Sequence, residues 1–336
     1  MTPTIHDVAR RADCSIKTVS RVINAQPHVR PALRERVEAA IAATGYAPNL
    51  NAQRLVKKRT GALCVLTSTS EYYLAPDVLA SAIDLARSSD YDLLLHIDND
   101  QPSSRKQLAS LIAGRRLDGL IITPPCDTNP FLTELLNHHP LPHVFIDPFN
   151  RDNASPYVAT DDLVGARDLT THLLDIGHRR IAFLKGNPNL RASVDRLTGY
   201  TQALAQRGIP FDPKLAANAM GTFEGGYNAV RLYLSGGTRP TAFFCVNDHA
   251  ALGVLFALQE MNVRVPRDIS VCGFGNHPLG ARVFPGLTTV HQPVQEMITA
   301  ALRLLLSILG GGQPASPTLL PSALVLRGSS GSAPGA

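Results

Sequence analysis

The sequence predicts two unlike parts in one chain of 336 residues: an all-α helix-turn-helix headpiece over 1–48 and a bilobal α/β body over 61–327. Two observations carry that division. Residues 1–60 hold 11 Lys and Arg against 4 Asp and Glu, a net +7, while the remainder holds 21 against 23, a net −2. All the excess positive charge sits in the first sixth of the chain, which points to a polyanionic partner for that part alone. The apolar pattern changes at the same place: a helical stripe before residue 48, and from Gly61 short apolar runs alternating with amphipathic stretches.

In the first part, Thr4-Ile5-His6-Asp7 reads as a capping box, with the Thr4 hydroxyl serving free N–H groups and an acid three residues on. Ile5, Val8, Ala9 and Ala12 then fall on one helical face. Ser15 caps a second helix that turns Val19, Val22 and Ile23 inward, and Pro31 opens a third that buries Leu33, Val37, Ala40 and Ile41. Gly45, with Pro48 beyond, ends it. Opposite the apolar stripe of the second helix stand Lys17, Ser20, Arg21 and Asn24, donors suited to phosphate oxygens and to guanine acceptors in the major groove. On an isolated helix this would be a solvated face. The helix-turn-helix spacing and the confined charge favour DNA instead.

Residues 49–60 contain NLNAQRLVKK, a short basic linker helix too brief to be stable alone in water. Beyond it, ALCVL, YDLLLHI, DGLIIT and PHVFID read as buried parallel strands, and RRIAFLKG, TAFFCVN and ISVCGFG repeat the pattern after about residue 178. Two such sets predict two doubly wound lobes with a ligand cleft at the strand ends, where Asp147, Asn187, Asn247, Asp248 and Asn276 stand. Residues 328–336, all Gly, Ser, Ala and Pro, read as a disordered tail.

Several classes are excluded or disfavoured. No apolar run approaches the ~20 residues of a membrane span, and the N-terminus has no secretory h-region. Five dispersed cysteines without CxxC spacing argue against disulfides or zinc and fit a reducing cytoplasm. GxSxG and P-loop motifs are absent, Gly273-Phe274-Gly275 is an incomplete dinucleotide loop, and His138-His139 lacks a third ligand. An enzyme, and an exported sugar-binding protein of a transport system, are the rival readings. No metal or cofactor is expected.

TIHDVARRADCSIKTVSRVIN and HVRPALRERVEAAIAATGYAPN resemble the N-terminal signature of the lactose/galactose repressor (LacI/GalR) family of bacterial transcription regulators. GHRRIAFLKG, VDRLTGYTQAL, VNDHAALGVLFAL, VPRDISVCGFG and PGLTTVHQP extend the likeness through the family's effector domain, which has a periplasmic-binding-protein-like fold. The resemblance implies a homodimer on a near-palindromic double-stranded operator, acting as a repressor of carbohydrate or related genes under a sugar or other small polar effector. Ile16 and Lys17 would select operator bases and Arg21 would contact a base, with Thr4, Ser15, Ser20, Asn24 and His28 at or near the phosphates. Ala52 and Leu55 match the family's hinge helix, where a leucine wedges into the minor groove, and Lys57 adds phosphate attraction. In the effector domain Tyr72, Tyr73, Asp147, Arg196, Phe223 and Asn247 match ligand-facing positions. Many sugar-binding members carry GFDD or GYDD where this chain reads Gly273-Phe274-Gly275-Asn276, so Asn276 is the replacement expected on the ligand. Helices near Val78–Ala86 and Gln107–Leu111 are the candidate dimer surfaces.

Overall fold

In the computed structural model, residues 3–23, 26–46, 59–68, 76–151, 155–236, 239–313 and 317–335 are described. They form two units, divided at Thr60 and Gly61.

The first unit contains α1 (Ile5–Arg11), α2 (Ile16–Ile23) and α3 (Pro31–Thr44). Val8, Ala9, Ala12, Val19, Val22, Val37 and Ala40 form their shared core, the helical spacing of the sequence made physical. Gly45 closes α3 in the left-handed conformation, φ +65°, which glycine adopts without steric cost. At the start of α1 the Thr4 hydroxyl and N–H both donate to Asp7, at 2.7 and 2.9 Å. Thr4 and Asp7 thus close the capping box read from the sequence.

The second unit has two lobes. The first is a parallel sheet of β1 (Ala62–Ser68), β2 (Asp92–Asp98), β3 (Gly119–Ile122), β4 (His143–Ile146), β5 (Tyr157–Thr160) and β11 (Thr318–Leu320), in the order β11-β5-β4-β3-β1-β2. Period-two alternation decides its two faces. Leu63, Val65 and Ile121 pack with α4 (Pro76–Ser88) and α12 (Val294–Leu309), while Cys64, Leu66, Leu120 and Ile122 pack with α5 (Pro102–Ala113) and α6 (Pro130–His138).

The second lobe is a parallel sheet of β6 (Ile181–Lys185), β7 (Ala216–Asn218), β8 (Ala242–Cys245) and β9 (Ser270–Cys272), ordered β7-β6-β8-β9. Ile181, Phe183, Ala242 and Phe244 face α7 (Asp162–Asp175) and α8 (Arg191–Gln206). Ala182, Leu184, Phe243 and Cys245 face α9 (Phe223–Ser235) and α10 (Asp248–Glu260). A short helix, α11 (Pro278–Arg282), and the antiparallel pair β10 (Thr289–His291) and β12 (Ala323–Val325) complete it.

Two expectations need correction. The lobes are not two consecutive sets: the chain crosses from β5 to α7, returns from β10 to α12, and crosses again from β11 to β12. Residues 328–336 were expected to be a disordered tail, yet Gly328–Gly335 are described, and the segment runs along the second lobe. Buried Ser329 donates its hydroxyl to the Val271 carbonyl (2.6 Å) and accepts from the Thr288 N–H (2.8 Å), and the Val271 N–H donates to the Ser329 carbonyl (2.8 Å). Buried His178 lies 3.0 Å, through Nε2, from the Gly331 carbonyl. Small side chains allow this approach, since a Cβ on Gly328 or Gly331 would press on Pro285 or Pro266. Truncation after Arg327 will therefore destabilise the unit by about 3 kcal/mol, from a few lost buried hydrogen bonds. A urea melt measures it, and an unchanged midpoint would restore the disordered reading.

Candidate functional site

Ser15 starts α2 by accepting the Thr18 N–H at 3.1 Å, and buried Val19 and Val22 fix the helix against its neighbours. This leaves Lys17 and Arg21 exposed, Ser20 half-buried and Ile16 40% exposed. Arg36 donates to the carbonyls of Ala12 (2.5 Å) and Asp13 (3.1 Å), tying α3 to the turn that sets the angle between α1 and α2. His28 is exposed at φ +74°. The Thr4 bonds hold the Asp7 carboxyl below its ordinary range. Asn24, Ala52, Leu55 and Lys57, expected on DNA, lie outside the described residues, as do Tyr72 and Tyr73 of the expected effector site.

Between the lobes of the second unit is a cavity of about 670 Å³, formed where strand ends meet the first turns of α8, α9 and α10. Asp147, Arg196, Phe223 and Asn247 all line it. Asn276 does not appear in its wall. At φ +57° its side chain accepts from Arg327 at 2.6 Å and lies 3.3 Å from His291, so the expected replacement ligand group is spent inside the lobe.

Arg196 is buried and heavily engaged. Nε and Nη2 donate to one Asp162 oxygen (3.1 and 2.9 Å), Nη1 to the Val246 carbonyl (2.7 Å), and Nη2 also to Gln292 (3.3 Å). Its guanidinium carbon stacks 3.8 Å over the Phe274 ring, a cation–π contact in a desolvated place. Asp162 follows the first crossing between lobes and Gln292 lies in the second. The arginine therefore joins the cleft wall to the hinge.

Asp147, at the end of β4, is buried with φ +47° and accepts from Arg151 at 2.6 Å. Arg151 also lies 3.6 Å from Asp195 on α8, which accepts from Arg191 at 2.8 Å. This chain of alternating charges crosses from the first lobe to the second. Burial, followed by nearby Asp162, pushes the Asp147 carboxyl up, and the attraction of Arg151 does not cancel it.

Phe223 packs at 5.9 Å between ring centroids on Phe256. Asn247 caps α10 by accepting the Ala250 N–H (2.9 Å) and donates to the Gly221 carbonyl (2.8 Å). The Asp248 carboxylate accepts from the Thr289 hydroxyl and the His277 N–H, both at 2.6 Å; burial raises its pKa. Sequence reasoning missed Arg151, Asp162, Arg191, His249, His277 and Gln292. Arg191 and Asp195 offered a signal, the i, i+4 spacing of a helical ion pair, whereas the others meet only through the fold. No helix among the described residues is long and apolar enough to cross a membrane.

Comparison with known proteins agrees with both units. Residues 4–49 match the bacterial regulatory proteins of the lacI family, and residues 170–330 match the periplasmic binding protein-like domain. The catabolite control protein A of Priestia megaterium is 32% identical over 91% of this chain and 92% of its own. A Lac repressor dimer solved with operator and the anti-inducer ONPF superposes with TM-score 0.82 at 29% identity, over 98% of this chain and 99% of that one. A complex of the regulator CelR with cellobiose gives 0.75 at 29% identity, over 97% and 99%. With its three-helix unit and interlobe cleft laid out as described, the chain belongs to the LacI family of bacterial regulatory proteins.

Proposed function

We propose that the protein is a sequence-specific operator-binding repressor, controlled by a small polar ligand in the interlobe cleft, and that it has no enzymatic role. The observation that carries this is the exposed face of α2, where Ile16, Lys17 and Arg21 stand clear of a core that fixes the helix as a rigid reader. The operator and cellobiose complexes of its relatives support the two kinds of partner. Its place of action is the cytoplasm, where DNA and metabolite meet.

Ligand control follows from the hinge. A molecule that competes for Gln292, or takes the N–H that Arg196 has left, changes groups at two of the three crossings and so the relative lobe angle. The linker over 49–60, whose hinge-helix reading falls mostly outside the described residues, would pass that change to the DNA. The protein acts as a dimer on a palindrome. Edge strand β2 supports this, because Leu95 (43%) and Ile97 (40%) expose an apolar band on the sheet face covered further in by α4. That band adjoins the Val78–Ala86 candidate, whereas Gln107 and Ser110 on α5 present polar side chains.

Fluorescence anisotropy on duplexes selected by the protein from a random pool tests the reading. The expected result is a strong preference over random duplex, with two protomers per site and affinity falling steeply with salt. Arg21→Ala should cost about 1–3 kcal/mol and relax base preference at one position of each half-site. Equal binding to random duplex would refute the function.

A further inference from the structure

We infer that Arg151 is a proton-controlled latch between the lobes: ionised Asp147 keeps it on the first lobe, and protonated Asp147 releases it to Asp195 on the second. The inference rests on the operator reading above and adds a control of the same hinge that needs no ligand.

The geometry is that of a bond half made. Arg151 lies in the loop between β4 and β5, with Nη2 2.6 Å from Asp147 Oδ1 and Nη1 3.6 Å from Asp195 Oδ2. The first contact is a short charge-assisted hydrogen bond, and the second is just outside hydrogen-bond range. Both sides of the longer gap have capacity left. Arg151 Nε is buried with no hydrogen-bond partner among the described residues. Asp195 Oδ1 accepts from Arg191 at 2.8 Å, while its Oδ2 receives no hydrogen bond among the described residues.

Charge balance sets the direction. Asp147, Asp162 and Asp195 are all buried, and three arginines divide among them: Arg196 serves Asp162, Arg191 serves Asp195, and Arg151 serves Asp147. A proton on Asp147 removes the counter-charge of an arginine that is itself always charged and only partly exposed. The carboxylate left within reach of Arg151 is then Asp195, across the lobe boundary. A shift of about half an ångström brings that pair into hydrogen-bond range.

The surroundings of Asp147 favour the proton. Burial raises its carboxyl, and Asp162 on α7, whose second oxygen has no partner among the described residues, raises it further. Arg151 on its own loop and Arg196 on α8 oppose them. Asp152, next to Arg151 in the sequence, lies outside the described residues. The other titratable groups of the cavity wall, Glu224, Asp248, His249 and His277, belong to the second lobe.

Fluorescence anisotropy without ligand, on a duplex selected by the full-length protein, tests the latch at pH 5 and pH 8. Asp147→Asn has lost the charge at every pH, so it should match the parent at pH 5. At pH 8 its operator affinity should differ from the parent's by about fivefold, the lower end of ordinary coupling between sites. Asp195→Asn should show the reverse, matching the parent at pH 8, where Arg151 stays on Asp147, and differing at pH 5. Comparing each variant with the parent at the same pH cancels titration in the first unit, where His6 and His28 lie. Should Asp147→Asn fail to fold, Asp195→Asn carries the test, because that substitution still leaves an amide oxygen for Arg191. Ratios that are the same at both pH values would overturn the latch. So would a pH-dependent effect of Asp147→Asn that persists when Asp195→Asn is also present, since the proton would then act through Asp147 alone. A protein that prefers no duplex at either pH removes the operator reading and the latch with it; selective binding with flat ratios removes the latch alone.

Discussion

Replacing Arg196 with methionine will cost the second unit about 3–5 kcal/mol of stability, because it leaves the buried Asp162 carboxylate without its counter-charge. The second Asp162 oxygen already lacks a partner among the described residues, so nothing there can compensate. Arg196→Lys will not rescue it, since one ammonium cannot reproduce the fork that reaches Asp162, Val246 and Gln292 together while stacking on Phe274. Pairing Arg196→Met with Asp162→Asn should recover much of the loss, as both charges are then gone. Urea melts of the parent, Arg196→Met, Asp162→Asn and the double variant give the coupling energy directly. In the double variant, if folded, anisotropy should show operator binding that no longer responds to ligand. A single variant as stable as the parent would overturn the role of Arg196 as the partner that Asp162 needs.

Particular residues show how far the sequence can be read. Leu63 and Val65 turn to one face of their sheet and Cys64 and Leu66 to the other, so an unbroken apolar run was enough to announce a strand covered on both sides. Asp147 and Asn247 were legible because each stands at a strand end that the alternating pattern places at the cleft, whereas Arg196 and Phe223 were reached only through the family resemblance. What was not legible depends on distant partners. Asn276 occupies a strand end like the others, but Arg327, 51 residues away, draws it out of the cavity. Helix α12 announces its burial by composition without saying which lobe receives it; Met297, Ile298 and Leu302 fit the first. In the last residues, the small side chains that suggested disorder are the reason the backbone can lie against β9. Composition reports how easily a chain could stay unfolded, not whether a groove of matching width awaits it.

Arg151→Gln should have an effect nearly as large, about 2–4 kcal/mol, since Arg151 is partly exposed while its partner Asp147 is not. The loss should depend on pH with a definite sign. Burial holds the Asp147 carboxyl above its unfolded value of about 3.9, so folding gains from proton binding there and loses as pH rises. Without Arg151 that imbalance grows. The stability gap between variant and parent should widen at pH 8 and narrow at pH 5, where Asp147 can take a proton. Burial lowers His96, His172 and His178, so acid weakens both proteins, and only the difference between them reports on Asp147. Asp147→Asn with Arg151→Gln should flatten the gap at every pH, yet it still cuts the link from the first lobe to Asp195. If that double variant is stable but its operator affinity has drifted in the absence of ligand, the charge chain sets the resting lobe angle. An affinity equal to the parent's would confine Arg151 to neutralising Asp147, and the hinge contacts of Arg196 would carry the coupling alone.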